Sequence, residues 1–179
     1  CVIMFFKIID NALSTDNIDN FYGYFRDLQG WVFTGHAGDN NTWRKFHADL
    51  DKNNDNHKKL FDLSDEIVQT FLPEKEHKLK RAYVSSYLYG THHEMHTDGG
   101  YEDHCYTVMF YLNKVWTMSY GGETIFTNPE RTEIIHSVIP KPGRALLFDG
   151  FIPHCAREIS RTCIELRMVA TLKYFKNEK

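Results

Sequence analysis

The feature that most limits what this chain can fold into is a change of hydrophobic period at Pro73. Before Pro73 apolar residues recur at helical spacing. After it, aromatic and β-branched residues come in short runs broken by glycine, proline and asparagine. From Leu79 onward these runs predict eight strands, at 79–89, 94–98, 105–112, 122–127, 132–139, 144–148, 152–157 and 162–175, with turns at Gly99-Gly100, Gly121-Gly122, Asn128-Pro129 and Pro142-Gly143. Upstream, Ile18, Phe21, Tyr22, Phe25 and Leu28 follow Ser14 and Thr15, which can cap a helix that Gly30 can end. A second helix runs through Leu60, Leu63, Ile67 and Phe71, starting near Asp55 or Asn56 and stopping at Pro73. Gly38 to Asn41 and Asp51 to Asn56 are loop chemistry. Strands after two packing helices predict a mainly β jelly roll buttressed on one face by N-terminal helices.

At 179 residues and 42% hydrophobic content the chain suits one domain over 1–179, with 1–75 as helical support and 76–179 as the jelly-roll core. A formal charge of -3 offers no basic footprint for a phosphate backbone, so a nucleic-acid partner is not expected. The apolar run Val2 to Ile9 is broken by Lys7, is too short to cross a bilayer and reads as a strand, so no membrane association is expected. Cys1, Cys105, Cys155 and Cys163 form no C-x-x-C pair and predict inert thiols in a reducing, cytoplasmic compartment.

The chemistry concentrates in the stretch from Tyr87 to Asp98. On a strand, positions i and i+2 face the same side, so His96 and Asp98 would present an imidazole and a carboxylate into one cavity. A third ligand must come from elsewhere, and His154, at the start of a strand after a turn, is the best placed. Two imidazoles and one carboxylate on one face of an octahedron leave three positions open, the arrangement used for iron(II) oxygen chemistry. A zinc H-E-x-x-H motif fails by one residue at His93-Glu94-Met95-His96. His92 and His93 read as exposed or supporting imidazoles, His136 as a strand-face residue, and His36, His47, His57, His77 and His104 as surface.

H-x-D at 96–98, Tyr106 to Trp116, Gly121-Gly-Glu-Thr124, Pro142-Gly-Arg-Ala-Leu-Leu-Phe-Asp149 and Pro153-His154, in that order, resemble the prolyl hydroxylase-like branch of the 2-oxoglutarate and iron(II)-dependent oxygenases over about residues 80 to 175. The resemblance implies a double-stranded β-helix, with His96, Asp98 and His154 holding Fe(2+) and with 2-oxoglutarate, O2 and ascorbate as the accessory reactants. It implies hydroxylation of an unactivated C–H bond with release of succinate and CO2, on peptidyl-proline, an amino acid or a small metabolite, and a carboxylate at Asp98 favours hydroxylation over halogenation. It also asks for a basic residue on the last core strand to hold the distal carboxylate of 2-oxoglutarate. Cys163, Ile164 and Glu165 occupy its usual places, leaving Arg161 and Arg167 as candidates. Arg167 is preferred, because with Val169 and Thr171 it would face inward while Met168, Ala170 and Leu172 face away. Tyr111 matches the strand tyrosine that hydrogen-bonds the same carboxylate in the family, and Tyr87 a tyrosine that lines the co-substrate pocket. Gly99 to His104 would border the substrate, and Trp31 to Trp43 would contribute a lid. Two rival readings are a nucleic-acid demethylating oxygenase, suggested by Arg161 and Arg167 six apart, and a non-catalytic jelly roll that keeps a metal for structure.

Overall fold

The computed structural model describes residues 4–34, 45–73, 76–91 and 93–176. Cys1, His36, the loop 38–41, Trp43 and His92 lie outside them, as does most of the expected lid.

Helix α1 spans Thr15–Arg26 and starts where Ser14 Oγ accepts from the backbone N–H of Asn17. Helix α2, Asp55–Phe71, is capped by Asn54, whose side chain accepts from Asn56 N–H, and it stops just before Pro73. Ten strands are present among the described residues: β1 Phe6–Ile9, β2 Val32–Thr34, β3 Lys45–Asp49, β4 His77–Tyr87, β5 Tyr106–Tyr111, β6 Thr124–Thr127, β7 Ile134–Val138, β8 Ala145–Asp149, β9 His154–Ala156 and β10 Arg167–Lys176. They form a seven-stranded sheet in the order β1-β8-β5-β10-β4-β3-β2 and a three-stranded sheet in the order β7-β6-β9, with antiparallel pairing throughout. The two face each other as a double-stranded β-helix.

Strand alternation gives the large sheet two different faces. On β10, Met168, Ala170, Leu172 and Tyr174 join Val84 of β4 and Val108 and Phe110 of β5 in a core with Phe21 and Phe25 of α1 and Leu60 and Phe61 of α2. Tyr174 Oη also donates to Ser64 and Asp65 of α2, which fixes the helical layer to the sheet. On the opposite face Met109, Tyr111, Leu146, Phe148 and Val169 meet Phe126 and Val138 of the small sheet. A cleft opens between the two sheets.

Four local expectations fail. Residues 94–98 form no strand: only His96 pairs, as an isolated bridge with His154, because Asp98 and Gly99 bend so that both their N–H groups reach the carbonyl of Gly150. Residues 162–166 precede β10 as turn, not strand. Before Pro73 the strand expected within 2–9 appears as β1, but β2 and β3, which were not expected, extend the large sheet at its other edge. His57, expected at the surface, is buried, stacks on Phe25 and accepts from the N–H of Asp51.

Candidate active site

His154 opens β9, and its backbone exchanges two hydrogen bonds with His96, N–H to O at 3.1 and 2.8 Å. This single rung brings together two imidazoles that are far apart in the sequence. Each ring is then fixed through Nδ1, which donates to a backbone carbonyl: Glu94 at 3.0 Å for His96 and Ile152 at 2.9 Å for His154. With the proton on Nδ1, each Nε2 presents a lone pair. Asp98 completes the group, its oxygens 3.7 Å from Nε2 of His96 and 3.6 Å from Nε2 of His154. The three ligand atoms lie within 4.8 Å of one another, a spacing that one ion at about 2 Å from each can bridge. Among the described residues this is the one such group of histidine, cysteine and acidic side chains.

The Asp98 side chain is only 2% exposed. Its Oδ2 accepts from the Thr107 hydroxyl and its Oδ1 from the Lys173 ammonium, both at 2.6 Å. Burial alone would raise the carboxyl, but the positive field of His154 and Lys173 and the bond from Thr107 outweigh it and hold the group down at about 2. Burial first, and then His154, push His96 down to about 4, so it is neutral and able to ligate at neutral pH. Asp98 is therefore an anion with the neutral imidazole of His96 beside it, as binding a divalent cation requires.

Arg167, the first residue of β10, ends the same cleft and is 1% exposed. Its Nε donates to the carbonyl of Gly122 and its Nη2 to the hydroxyl of Thr124, both at 2.8 Å. Among the described residues no carboxylate lies within ion-pair distance of it. A guanidinium buried this deeply against neutral acceptors alone is a site prepared for an incoming anion. The faces of Tyr87 and Tyr111 flank it, each ring centroid 5.5 Å from Cζ, and Tyr111 shares a 2.7 Å hydroxyl contact with Thr124. Gly122 permits this approach. It sits at φ 71°, and a Cβ there would stand 3.2 Å from Cδ of Arg167 and 3.1 Å from Trp116.

Five of the six sequence-predicted residues, His96, Asp98, His154, Arg167 and Tyr87, line one cleft of about 450 Å³ open to solvent, and the sixth, Tyr111, lies behind it against Arg167 and Thr124. Arg161 lies in an exposed turn and does not line it, so the two arginines do not act as a pair. His93, read from sequence as exposed or supporting, is 5% exposed and walls the cleft, its ring 4.9 Å from Tyr87 and 5.9 Å from His96. Burial and the charge of Lys45 hold it down at about 2. Lys45, Tyr83, Thr107 and Lys173 were not singled out from the sequence, and Thr124 entered only as the end of the Gly121-Gly-Glu-Thr124 motif. Only Lys173 and Thr107 carried a signal, the inward phase of β10 and β5.

Comparison with known proteins agrees with this geometry. Residues 82–175 match the family model described as the 2OG-Fe(II) oxygenase superfamily. Among curated proteins no match was found. Among solved structures, a prolyl hydroxylase from Trichoplax adhaerens, in complex with a hypoxia inducible factor oxygen degradation domain peptide fragment, superposes with a TM-score of 0.76 at 21% identity, covering 96% of this chain and 83% of that one. A prolyl-4-hydroxylase from Pseudomonas putida gives 0.74 at 16% identity, covering 97% and 93%. HygX from Streptomyces hygroscopicus, with nickel and 2-oxoglutarate bound, gives 0.73 at 12% identity, covering 96% and 83%. These likenesses show the fold. No helix among the described residues is long and apolar enough to cross a membrane. The family match spans the strands that carry the cleft, and the chain belongs to the 2OG-Fe(II) oxygenase superfamily as an enzyme that uses Fe(2+) and 2-oxoglutarate.

Proposed function

We propose that residues 1–179 form one oxygenase domain in which His96, Asp98 and His154 hold iron(II) and Arg167, Tyr111 and Tyr87 bind 2-oxoglutarate for hydroxylation of a C–H bond. The observation that carries this reading is the pairing, within one cleft, of a three-ligand cluster with a buried arginine that faces no carboxylate among the described residues. When bound, iron(II) and 2-oxoglutarate supply O2 activation, with succinate, CO2 and hydroxylated substrate as the products.

The chain's own residues have four tasks. Two backbone carbonyls orient the imidazoles, and Thr107 orients Asp98. Arg167 clamps the distal carboxylate, where a planar guanidinium can offer parallel donors. Tyr111 and Thr124 brace that clamp. Phe126 and Phe148, 5.6 and 4.9 Å from the His154 ring, keep water from its far side. The primary substrate enters at the solvent-open end, near the turn 99–104, where Tyr101 is exposed and packs on Phe151. The Trichoplax neighbour holds a peptide fragment and HygX has a structure with hygromycin B bound, which supports leaving both peptides and small molecules open as substrates. A reducing, cytoplasmic setting fits the free thiols of Cys105, Cys155 and Cys163.

The test is conversion of 2-oxoglutarate to succinate with added iron(II) and ascorbate. Slow, substrate-independent succinate formation is expected from the native protein, and none from His96→Ala. Absence of turnover in both, together with failure of the native protein to retain iron(II) on dialysis, would overturn the reading.

A further inference from the structure

Asp98 turns both of its oxygens toward the imidazoles: Oδ1 is 3.7 Å from Nε2 of His96 and Oδ2 3.6 Å from Nε2 of His154. A carboxylate held that way can meet one ion through a single oxygen or close on it with both. The difference matters to this chemistry. Two imidazoles and one oxygen on one face of an octahedral ion leave half its positions open. A 2-oxoglutarate that chelates through its keto and carboxylate oxygens leaves one of those free. A second oxygen from Asp98 would take that last position.

The two oxygens are not held alike. Oδ2 accepts from the neutral hydroxyl of Thr107, whereas Oδ1 accepts from the ammonium of Lys173, each at 2.6 Å. A hydroxyl donor occupies one lone pair of a carboxylate oxygen and leaves another for a metal. An ammonium also brings a full positive charge: an ion bonded to Oδ1 at about 2 Å would stand within about 5 Å of Nζ. The side chains of Asp98 and Lys173 are 2% and 13% exposed, so little solvent screens that repulsion. Strand pairing argues against a purely structural lysine. Lys173 stands directly opposite Arg81 on β4, and like charges so placed cost a sheet stability. On its other side it stands opposite Thr107 of β5, so one cross-strand pair delivers an ammonium and a hydroxyl to the two oxygens of one carboxylate.

Resting on the metal site read above, we propose that Lys173 is a positioning residue that holds Asp98 to a single metal bond, through Oδ2, and so keeps the last coordination position free. It acts on the reaction through Asp98. Thr107 orients the oxygen that binds, and Lys173 withholds the oxygen that must not.

The experiment loads the protein with manganese(II), an octahedral ion, and counts its water ligands by water-proton relaxation, with bound metal measured by equilibrium dialysis. Relaxation per bound ion scales with the number of coordinated waters and involves no turnover. The native protein is expected to keep about three waters, falling to about one when 2-oxoglutarate is added. Lys173→Met frees Oδ1 to close on the ion, so relaxation per bound ion should drop by about a third without 2-oxoglutarate and nearly vanish with it. Its affinity for manganese should hold or rise, because a repelling charge is gone and a donor is gained. Lys173→Arg, which keeps a cation on Oδ1, should behave as the native protein does. A lysine that only supports the fold predicts the reverse, weaker binding with an unchanged water count. The proposal is overturned by that pattern, by an arginine variant that loses a water as the methionine variant does, or by a native protein already one water short. Should Lys173→Met not fold, Lys173→Leu takes its place, and failure of both beside a folded arginine variant makes the lysine structural and ends the proposal. Failure of the metal reading looks different: the native protein and His96→Ala would then relax water alike, and neither would retain manganese on dialysis.

Discussion

Replacing Arg167 by Met separates a co-substrate clamp from a structural cation, because the two roles predict opposite signs. The guanidinium is 1% exposed and spends one donor on Gly122 and one on Thr124, both neutral acceptors. A carboxylate meeting its remaining donors gains charge-assisted hydrogen bonds of about 1.5–3 kcal/mol each, so losing the clamp should cost about 3 kcal/mol, or roughly a hundredfold in 2-oxoglutarate affinity. Without ligand the balance differs. Methionine removes an uncompensated buried charge of similar volume, a change that is commonly neutral or stabilising. It also takes a donor from Gly122, at about 1 kcal/mol, while Thr124 keeps its contact with Tyr111. The metal-loaded variant without 2-oxoglutarate should therefore unfold within about 1 kcal/mol of the native protein. Arg167→Lys keeps the charge but not the planar fork and should lose about tenfold in affinity. Oxygen-free calorimetric titration of 2-oxoglutarate into manganese-loaded protein, paired with urea unfolding, reads both quantities. A Met variant that binds 2-oxoglutarate normally but unfolds several kcal/mol more easily would show the arginine to be structural.

Three further outcomes follow from distances at the site. Thr107→Val removes the 2.6 Å bond that orients Asp98 and should weaken metal binding about tenfold or more, measured by competition with a chromogenic chelator; unchanged affinity would remove Thr107 from the centre. Gly122→Ala places a methyl at φ 71° against Arg167 and Trp116; it should cost about 1–3 kcal/mol in urea and raise the KM for 2-oxoglutarate, and a silent substitution would contradict the packing. The metal-free protein should lose stability as pH falls from 7 to 5. Its folded state holds His93 at about 2 and His96 at about 4, below the ordinary 6.5, so the unfolded chain takes up protons first. The stabilisation is complete above the unfolded value and fades as pH drops toward the folded ones, by about 2 kcal/mol per group at pH 5. Urea unfolding midpoints at the two pH values check it, and His93→Gln should flatten the slope.

What the sequence made legible follows from how local each signal is. H-x-D at 96–98 and the inward phase of Arg167 are properties of neighbouring residues, and both lead to the cleft. Even so, the route to His96 and Asp98 was not the expected one: no strand holds them, and a bridge to His154 with a bend onto Gly150 places them instead. Strands β2 and β3 are short, interrupted in composition and set at a sheet edge, so their hydrogen-bonded partners rather than their own residues define them. Lys45 went unnoticed for that reason. Thr107 and Lys173 went unnoticed because a threonine or lysine on a strand is ordinary until the cross-strand register, here Thr107 opposite Lys173, puts both beside one carboxylate. His93 read as exposed or supporting because its packing on Tyr87 depends on how the turn between them folds, which spacing alone does not give.

The helical layer has a functional consequence through that register. On β10 the residues facing α1 and α2 alternate one by one with those facing the cleft, so a slip of one position would exchange Arg167 for Met168 and Lys173 for Tyr174. What forbids the slip is on the far side of the sheet: Met168, Ala170 and Leu172 packed on Phe25, Leu60 and Phe61, and Tyr174 bonded to Ser64 and Asp65. Leu60→Ala, with no contact to the cleft, removes a side chain at 0% exposure and should cost about 2–5 kcal/mol. If register is held cooperatively, the folded fraction of that variant will bind metal and 2-oxoglutarate with native affinity while unfolding more readily. A variant that stays folded yet binds 2-oxoglutarate more weakly would show instead that the helices tune the site continuously.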